Sequence, residues 1–321
     1  MSVRLSRYSS GATPIPHLAT WRLLLLRHFN SRNPMRHFWL ILLLFLGSPA
    51  WSQTVVASVE PLAKVLRSLY GEKITVTTLM QGNQNPHQLA LSPRQAMAVQ
   101  QADLVVWLGA DVEAPLAPLV ARRKGRTVTL LELEGVYRRK GEHQHHEDHD
   151  HEGHAASTDP HLWLSVDNMV LLAGAVGQQF PHGLTPGQPQ LWQQEAKAQL
   201  QAEKKQLMPL AQVPWLSYHQ PWGYLTESLG LANPLVVSEQ LGAGPGSRRF
   251  VTLAGQVRDQ QVRCAVQEPE ARAGLLKRLC PDCYVQPLDP LGRDSLQQKY
   301  LPWLSELSSG FAQCLQAAKD T

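Results

Sequence analysis

Six of the thirteen histidines in this chain stand at positions 143, 145, 146, 149, 151 and 154. They are spaced by acids in the run Glu142-His-Gln-His-His-Glu-Asp-His-Asp-His-Glu-Gly-His154. No apolar residue interrupts the run between Gly141 and Ala155, so it has nothing to bury in a core. It does offer imidazoles and carboxylates, the donors that suit a borderline metal such as zinc. Each ligand ordered on a flexible run costs conformational entropy. A tighter metal site is therefore expected elsewhere. Three other histidines are candidates for it: His87, His161 and His219. Each sits at the end of an expected element rather than within an apolar face.

The elements that must position them alternate. Thr54–Val59, Lys73–Leu79, Ala102–Gly109 and Arg126–Leu131 read as strands from their β-branched and apolar content. Pro61–Tyr70 has helical spacing, with Leu62, Val65, Leu66 and Leu69 on one face. A second helix starts at Ser92-Pro93, with serine as N-cap and proline in the first turn. Val166–Phe180 reads as helix, Pro181–Pro189 as a break, and Leu191–Leu207 as a helix rich in Ala, Gln, Glu, Lys and Leu. A second series of strands and helices begins at Trp215–Tyr218. Such alternation predicts an α/β fold of two lobes, each a mainly parallel sheet flanked by helices, joined by one long helix. The expected boundaries are 53–186 for the N-terminal lobe, 187–209 for the linking helix and 210–321 for the C-terminal lobe. Ligand loops in such folds lie at the carboxyl ends of strands, which is where His87 and His219 fall.

Composition excludes several classes. The formal charge of +4 is concentrated at the start, where Arg4, Arg7, Arg22, Arg27, Arg32 and Arg36 have no acidic neighbour. From residue 53 onward the charges nearly balance, so no nucleic-acid partner is expected. Residues 35–52 have a basic start, an apolar run and small residues at Ala50 and Ser52, the layout of a cleavable signal peptide. The run Phe38–Leu46 is too short to span a bilayer. Met35 is expected to be the true start, with residues 1–34 upstream of it. No cysteine follows the leader, so the mature chain is expected to be free in the periplasm without a lipid anchor.

Four cysteines remain in an oxidising compartment. A bridge between Cys264, in a strand-like stretch, and Cys314, in the last helix-like segment, would stabilise by roughly 3–4 kcal/mol through loop closure. Cys280-Pro-Asp-Cys283 reads as a redox pair, half of a zinc site or a local disulfide.

Several motifs occur together and in order: Asn85-Pro-His87 ahead of a Ser-Pro helix start, Ala102-Asp-Leu-Val-Val-Trp-Leu-Gly109, Asp159-Pro-His-Leu-Trp163, Tyr218-His219 with Gly223-Tyr224, and Leu288-Asp-Pro-Leu-Gly292. Over residues 53–318 the chain resembles the zinc and manganese substrate-binding proteins of bacterial ABC importers, most closely their ZnuA-like zinc branch. That resemblance implies a metal cleft between two lobes joined by a rigid helix, Zn2+ as the cargo and an ABC permease membrane subunit as the partner. It implies a monomeric binding protein and no enzymatic activity. It places the ligands at His87, His161 and His219. It also implies the Cys264–Cys314 disulfide and an accessory role for His143, His145, His146, His149, His151 and His154.

The third histidine points to zinc. Manganese-type relatives carry a carboxylate where His219 stands, and imidazole favours zinc over manganese. A fourth donor completes tetrahedral zinc. Asp289 matches a carboxylate ligand of the manganese-type relatives. It is read either as that fourth ligand or as a turn residue before Pro290 that biases the field while water coordinates. Glu268 is read as a structural or rim residue of the second lobe rather than a ligand. Because imidazoles titrate near pH 6.5 as a class, binding should weaken in acid. The rival readings are a manganese-type protein or adhesin, and a three-histidine zinc hydrolase; the chain has no HExxH-type motif for the latter.

Overall fold

The computed structural model describes residues 53–80, 91–141, 158–238 and 244–320. Among these residues eight strands alternate with nine α-helices. The leader, the segment before it, His87 and the histidine run lie outside the described residues.

The first sheet contains β1 (Gln53–Ala57), β2 (Ile74–Thr78), β3 (Leu104–Trp107) and β4 (Arg126–Thr129). Its order is β2-β1-β3-β4 and every pairing is parallel. The inner strand β3 is apolar and buried at every position, as expected of a strand covered on both faces. The edge strand β2 instead alternates buried and more exposed residues. Helix α1 (Glu60–Tyr70) buries the face predicted for it, with Leu62, Val65, Leu66 and Leu69 inaccessible to solvent. Helix α2 (Pro93–Gln101) begins with a capping box: Ser92 Oγ accepts from the Gln95 amide, and Gln95 Oε1 accepts from the Ser92 amide at 2.8 Å. Short α3 (Ala117–Arg122) and the longer α4 (Val166–Gln179) complete this lobe.

Helix α5 (Gln188–Leu207) follows. It starts inside the Pro/Gly-rich break, three residues earlier than the expected start at Leu191. Gly187 takes a left-handed conformation (φ 80°) at its N-cap, one a side chain would strain. Trp192, Ala196, Leu200, Glu203 and Leu207 form its buried stripe. Glu203 is tolerated there because Ser308 Oγ donates to it at 2.7 Å and Gln199 Nε2 at 2.7 Å. This helix packs against α1 and α4 of the first lobe.

The second sheet contains β5 (Trp215–Ser217), β6 (Leu235–Val236), β7 (Cys264–Gln267) and β8 (Tyr284–Pro287), in the order β6-β5-β7-β8, again all parallel. It is flanked by α6 (Gly223–Leu229), α7 (Ser247–Asp259), α8 (Ala273–Leu279) and α9 (Tyr300–Lys319). Helix α5 also meets α6 and α9, so it touches both lobes. Cys264 and Cys314 are bonded, with Cα atoms 5.2 Å apart, and tie β7 to α9. Cys280 and Cys283 form a local disulfide between α8 and β8.

One continuous core runs through both lobes. Helix α9 reaches beyond its own sheet to pack on α1. The loop after β8 is pinned to the first lobe by buried polar contacts. Trp163 Nε1 donates to the Pro290 carbonyl at 2.7 Å, and Tyr300 donates to the Trp163 carbonyl at 2.9 Å. Lys64 on α1 is fully buried and donates to the Ser295 carbonyl and, at 3.2 Å, to its hydroxyl. Burial lowers the Lys64 ammonium to about 8, against the opposing pull of Glu60. No helix among the described residues is long and apolar enough to cross a membrane.

Candidate metal centre

His219 lies two residues beyond the carboxyl end of β5, at the strand terminus where α/β folds place ligands. His161 reaches the same place by another route. It sits at the N-cap of a 3-10 turn, Leu162–Leu164, on the long segment between β4 and α4. The two imidazoles face each other across the lobes, with ring centroids 5.3 Å apart and planes at 64°. Both residues are buried. His161 also stands edge-on to Trp163, at 5.4 Å.

Asp159 fixes the His161 ring. Its Oδ1 lies 2.7 Å from His161 Nδ1 and also accepts the His161 amide at 3.0 Å. A carboxylate at Nδ1 sets the tautomer and ring orientation, an arrangement found behind zinc-binding histidines. Asp159 stands in the Asp-Pro-His motif, yet a two-residue spacing alone did not assign it this role.

Asp289 follows β8 and is heavily engaged. Its Oδ1 accepts the Leu291 amide at 3.1 Å and Arg293 Nη2 at 2.9 Å, and Oδ2 accepts the Arg293 amide. Glu270 shares the same guanidinium. Burial alone would lower the Arg293 pKa, but the bonds to Glu270 and Asp289 outweigh it and hold the charge more firmly than usual. Coordination by Asp289 would therefore require it to exchange Arg293 for the ion. Among the described residues no group of three or more His, Cys, Asp or Glu side chains is gathered for a metal; His87 falls outside them.

Two buried carboxyls flank the strand ends. Glu268, just beyond β7, accepts from Ser217 Oγ at 2.6 Å and Trp222 Nε1 at 2.8 Å. Burial still pushes it up to about 7, so it packs behind His219 as a carboxyl that is only partly ionised at neutral pH, consistent with a structural role. Glu113 accepts from the Leu108 amide at 2.7 Å and is likewise raised by burial to about 7. A raised carboxyl favours the folded state fully below its unfolded pKa, 4.5. Between pH 4.5 and 7 the unfolded chain releases the proton first, so stability falls, by about 3 kcal/mol for such a shift. Glu268 adds a similar slope. Burial raises Glu60 and Glu203 as well, so Glu113→Gln is expected to remove about 3 kcal/mol of the stability lost between pH 4.5 and 7.5 in urea denaturation. An unchanged slope would refute the assignment.

The fold matches metal-binding proteins of known structure. It aligns with ZnuA at a TM-score of 0.66 and 19% identity, covering 82% of this chain and 99% of that one. It aligns with a Zn(II)-bound AdcAII variant of Streptococcus pneumoniae at a TM-score of 0.68 and 18% identity, covering 84% and 100%. The chain thus shares with these proteins a fold of two parallel-sheet α/β lobes. In sequence it is 26% identical to the high-affinity zinc uptake system protein ZnuA of Yersinia pestis, over 83% of this chain and 92% of that protein. Residues 55–314 match the family described as ZnuA, zinc-uptake complex component A, periplasmic, and the chain belongs to that family.

Proposed function

We propose that this protein captures Zn2+ in the periplasm and delivers it to the membrane permease of an ABC importer. The observation that carries the reading is the pairing of His161 and His219 across the lobes. The bond from Asp159 engages Nδ1 of His161, which supports Nε2 as the coordinating atom. His87 supplies a third imidazole from the residues that precede α2. Three imidazoles suit zinc better than manganese. Asp289 is the candidate fourth ligand; if it keeps Arg293, it supplies negative field while water completes the tetrahedron. The protein acts as a monomer that binds and releases its cargo without chemical turnover. Residues 35–52 serve as its export signal.

The histidine run supplies accessory capture. Its six imidazoles raise the local concentration of weakly held zinc without forming the tight site. Deleting residues 142–154 is expected to leave one tight site in calorimetric titration and to remove only weak additional binding. Loss of the tight site on deletion would refute the division of roles.

A further inference from the structure

We infer that Arg139 is a positioning residue for the metal ligands, tying the segment that carries His161 to the helix that follows His219. The inference rests on the reading of those two histidines as zinc ligands.

The segment 137–139 is a strut between the lobes. On one side Asn168, at the start of α4, clamps it: Asn168 Oδ1 accepts the Tyr137 amide at 2.9 Å, and Nδ2 donates to the Tyr137 carbonyl at 3.0 Å. The same Nδ2 reaches the Leu162 carbonyl at 3.3 Å, next to His161. On the other side the strut holds α6. The Arg139 amide donates to the Tyr224 hydroxyl at 2.9 Å, and Arg139 Nη1 donates to the Gly223 carbonyl at 3.0 Å. The guanidinium lies 5.9 Å from the Tyr224 ring centroid. Glu227 takes the outer face of the guanidinium at 2.5 Å.

Asp159 closes the circuit. Its amide donates to the Arg139 carbonyl at 2.9 Å, and its carbonyl accepts the Tyr224 hydroxyl at 3.1 Å. Its Oδ2 is 3.7 Å from Arg139 Nε, while Oδ1 holds His161. One guanidinium therefore meets the carboxylate behind His161 and the first turn of α6, four residues after His219. Through these contacts it sets the spacing of two imidazoles that come from different lobes.

The surroundings show which contacts matter. Glu227 is half exposed, and exposed ion pairs contribute little. The buried contacts to Gly223, Tyr224 and Asp159 carry the positioning. The guanidinium occupies the space that a side chain at Gly223 would take. A Cβ there would lie 2.6 Å from Arg139 Cζ.

The test is zinc affinity by chelator competition, with the visible spectrum of the Co(II)-loaded protein as a report of ligand geometry. Arg139→Gln and Gly223→Ala are expected to weaken zinc binding by about ten- to hundredfold, the range for groups behind metal ligands, and to alter the cobalt bands. Arg139→Lys, which keeps the charge, should restore part of both. Glu227→Gln should cost at most about fivefold. If His161→Ala destroys tight binding while Arg139→Gln and Gly223→Ala match the wild type, the positioning role is overturned and the site stands. Weaker binding with an unchanged cobalt spectrum and no rescue by lysine overturns it as well. If His161→Ala binds zinc like the wild type, the site assignment falls and the role of Arg139 falls with it.

Discussion

Replacing His161 or His219 with alanine is expected to lower zinc affinity by at least about tenfold. The two side chains have different neighbours and so different failure modes. His161→Ala would remove the proposed ligand atom Nε2 and one of the two bonds to Asp159 Oδ1, leaving that carboxylate the His161 amide and Arg139. A buried carboxylate left short of partners is costly, so this variant should also melt at a lower temperature. His219 stands against the Glu268 network at the end of β5. Its removal takes away an imidazole and leaves the bonds from Ser217 and Trp222 to the Glu268 carboxyl in place. His219→Ala should therefore lose zinc with a smaller change in stability. Competition with a chelator and thermal melting of the metal-free protein separate the two effects. Equal affinity in either variant and the wild type would remove that residue from the site.

Loss of the Cys264–Cys314 bridge is the largest expected change in stability. Both cysteines are fully buried, and the loop they close spans a sequence separation of 50. Closing a loop of that length stabilises by roughly 3–4 kcal/mol in the chain-entropy description. For a unit of this size that corresponds to about 6–8 °C in Tm. The double variant Cys264→Ser, Cys314→Ser should show this loss, and reduction of the wild type should approach it. Removing Cys280 and Cys283, which close a loop of sequence separation 3, should cost much less. A larger loss from the short bridge than from the long one would contradict the loop-closure account. Zinc affinity should change little in the long-bridge variant, since β7 and α9 meet away from the paired imidazoles.

The alternation of elements was legible because it rests on local physics. The strands predicted at 54–59, 73–79, 102–109, 126–131 and 215–218 appear, trimmed by a residue or two at their ends. Strand ends are set by ladder pairing, which composition does not encode. Ser92 and Pro93 marked the start of α2 because capping is a local hydrogen-bond pattern. Helix α5 was harder to bound, since Gln188 and Pro189 look like loop until Gly187 supplies the left-handed cap. The reach of α9 onto α1 was invisible, because periodicity gives a face and not its partner.

The site was legible in part. His161 and His219 were picked out by position at element ends, and the structure brings them together. Asp159 stood in view two residues from His161, but only the folded turn shows its Oδ1 at Nδ1. Arg139 carried no signal at all. Its partners lie 20 residues away at Asp159 and more than 80 away on α6. Asp289 illustrates the converse. Its motif suggested a ligand or a turn residue, and the fold surrounds it with Arg293 and backbone amides.

The most direct measurement is a crystal structure of the zinc-loaded, processed protein with anomalous scattering recorded at the zinc edge. A single strong peak is expected at bonding distance, about 2.0–2.1 Å, from Nε2 of both His161 and His219, with the His87 imidazole in the same shell and Asp159 still on Nδ1 of His161. A strong peak held only by histidines of the run 143–154, with His161 and His219 unligated, would contradict the account.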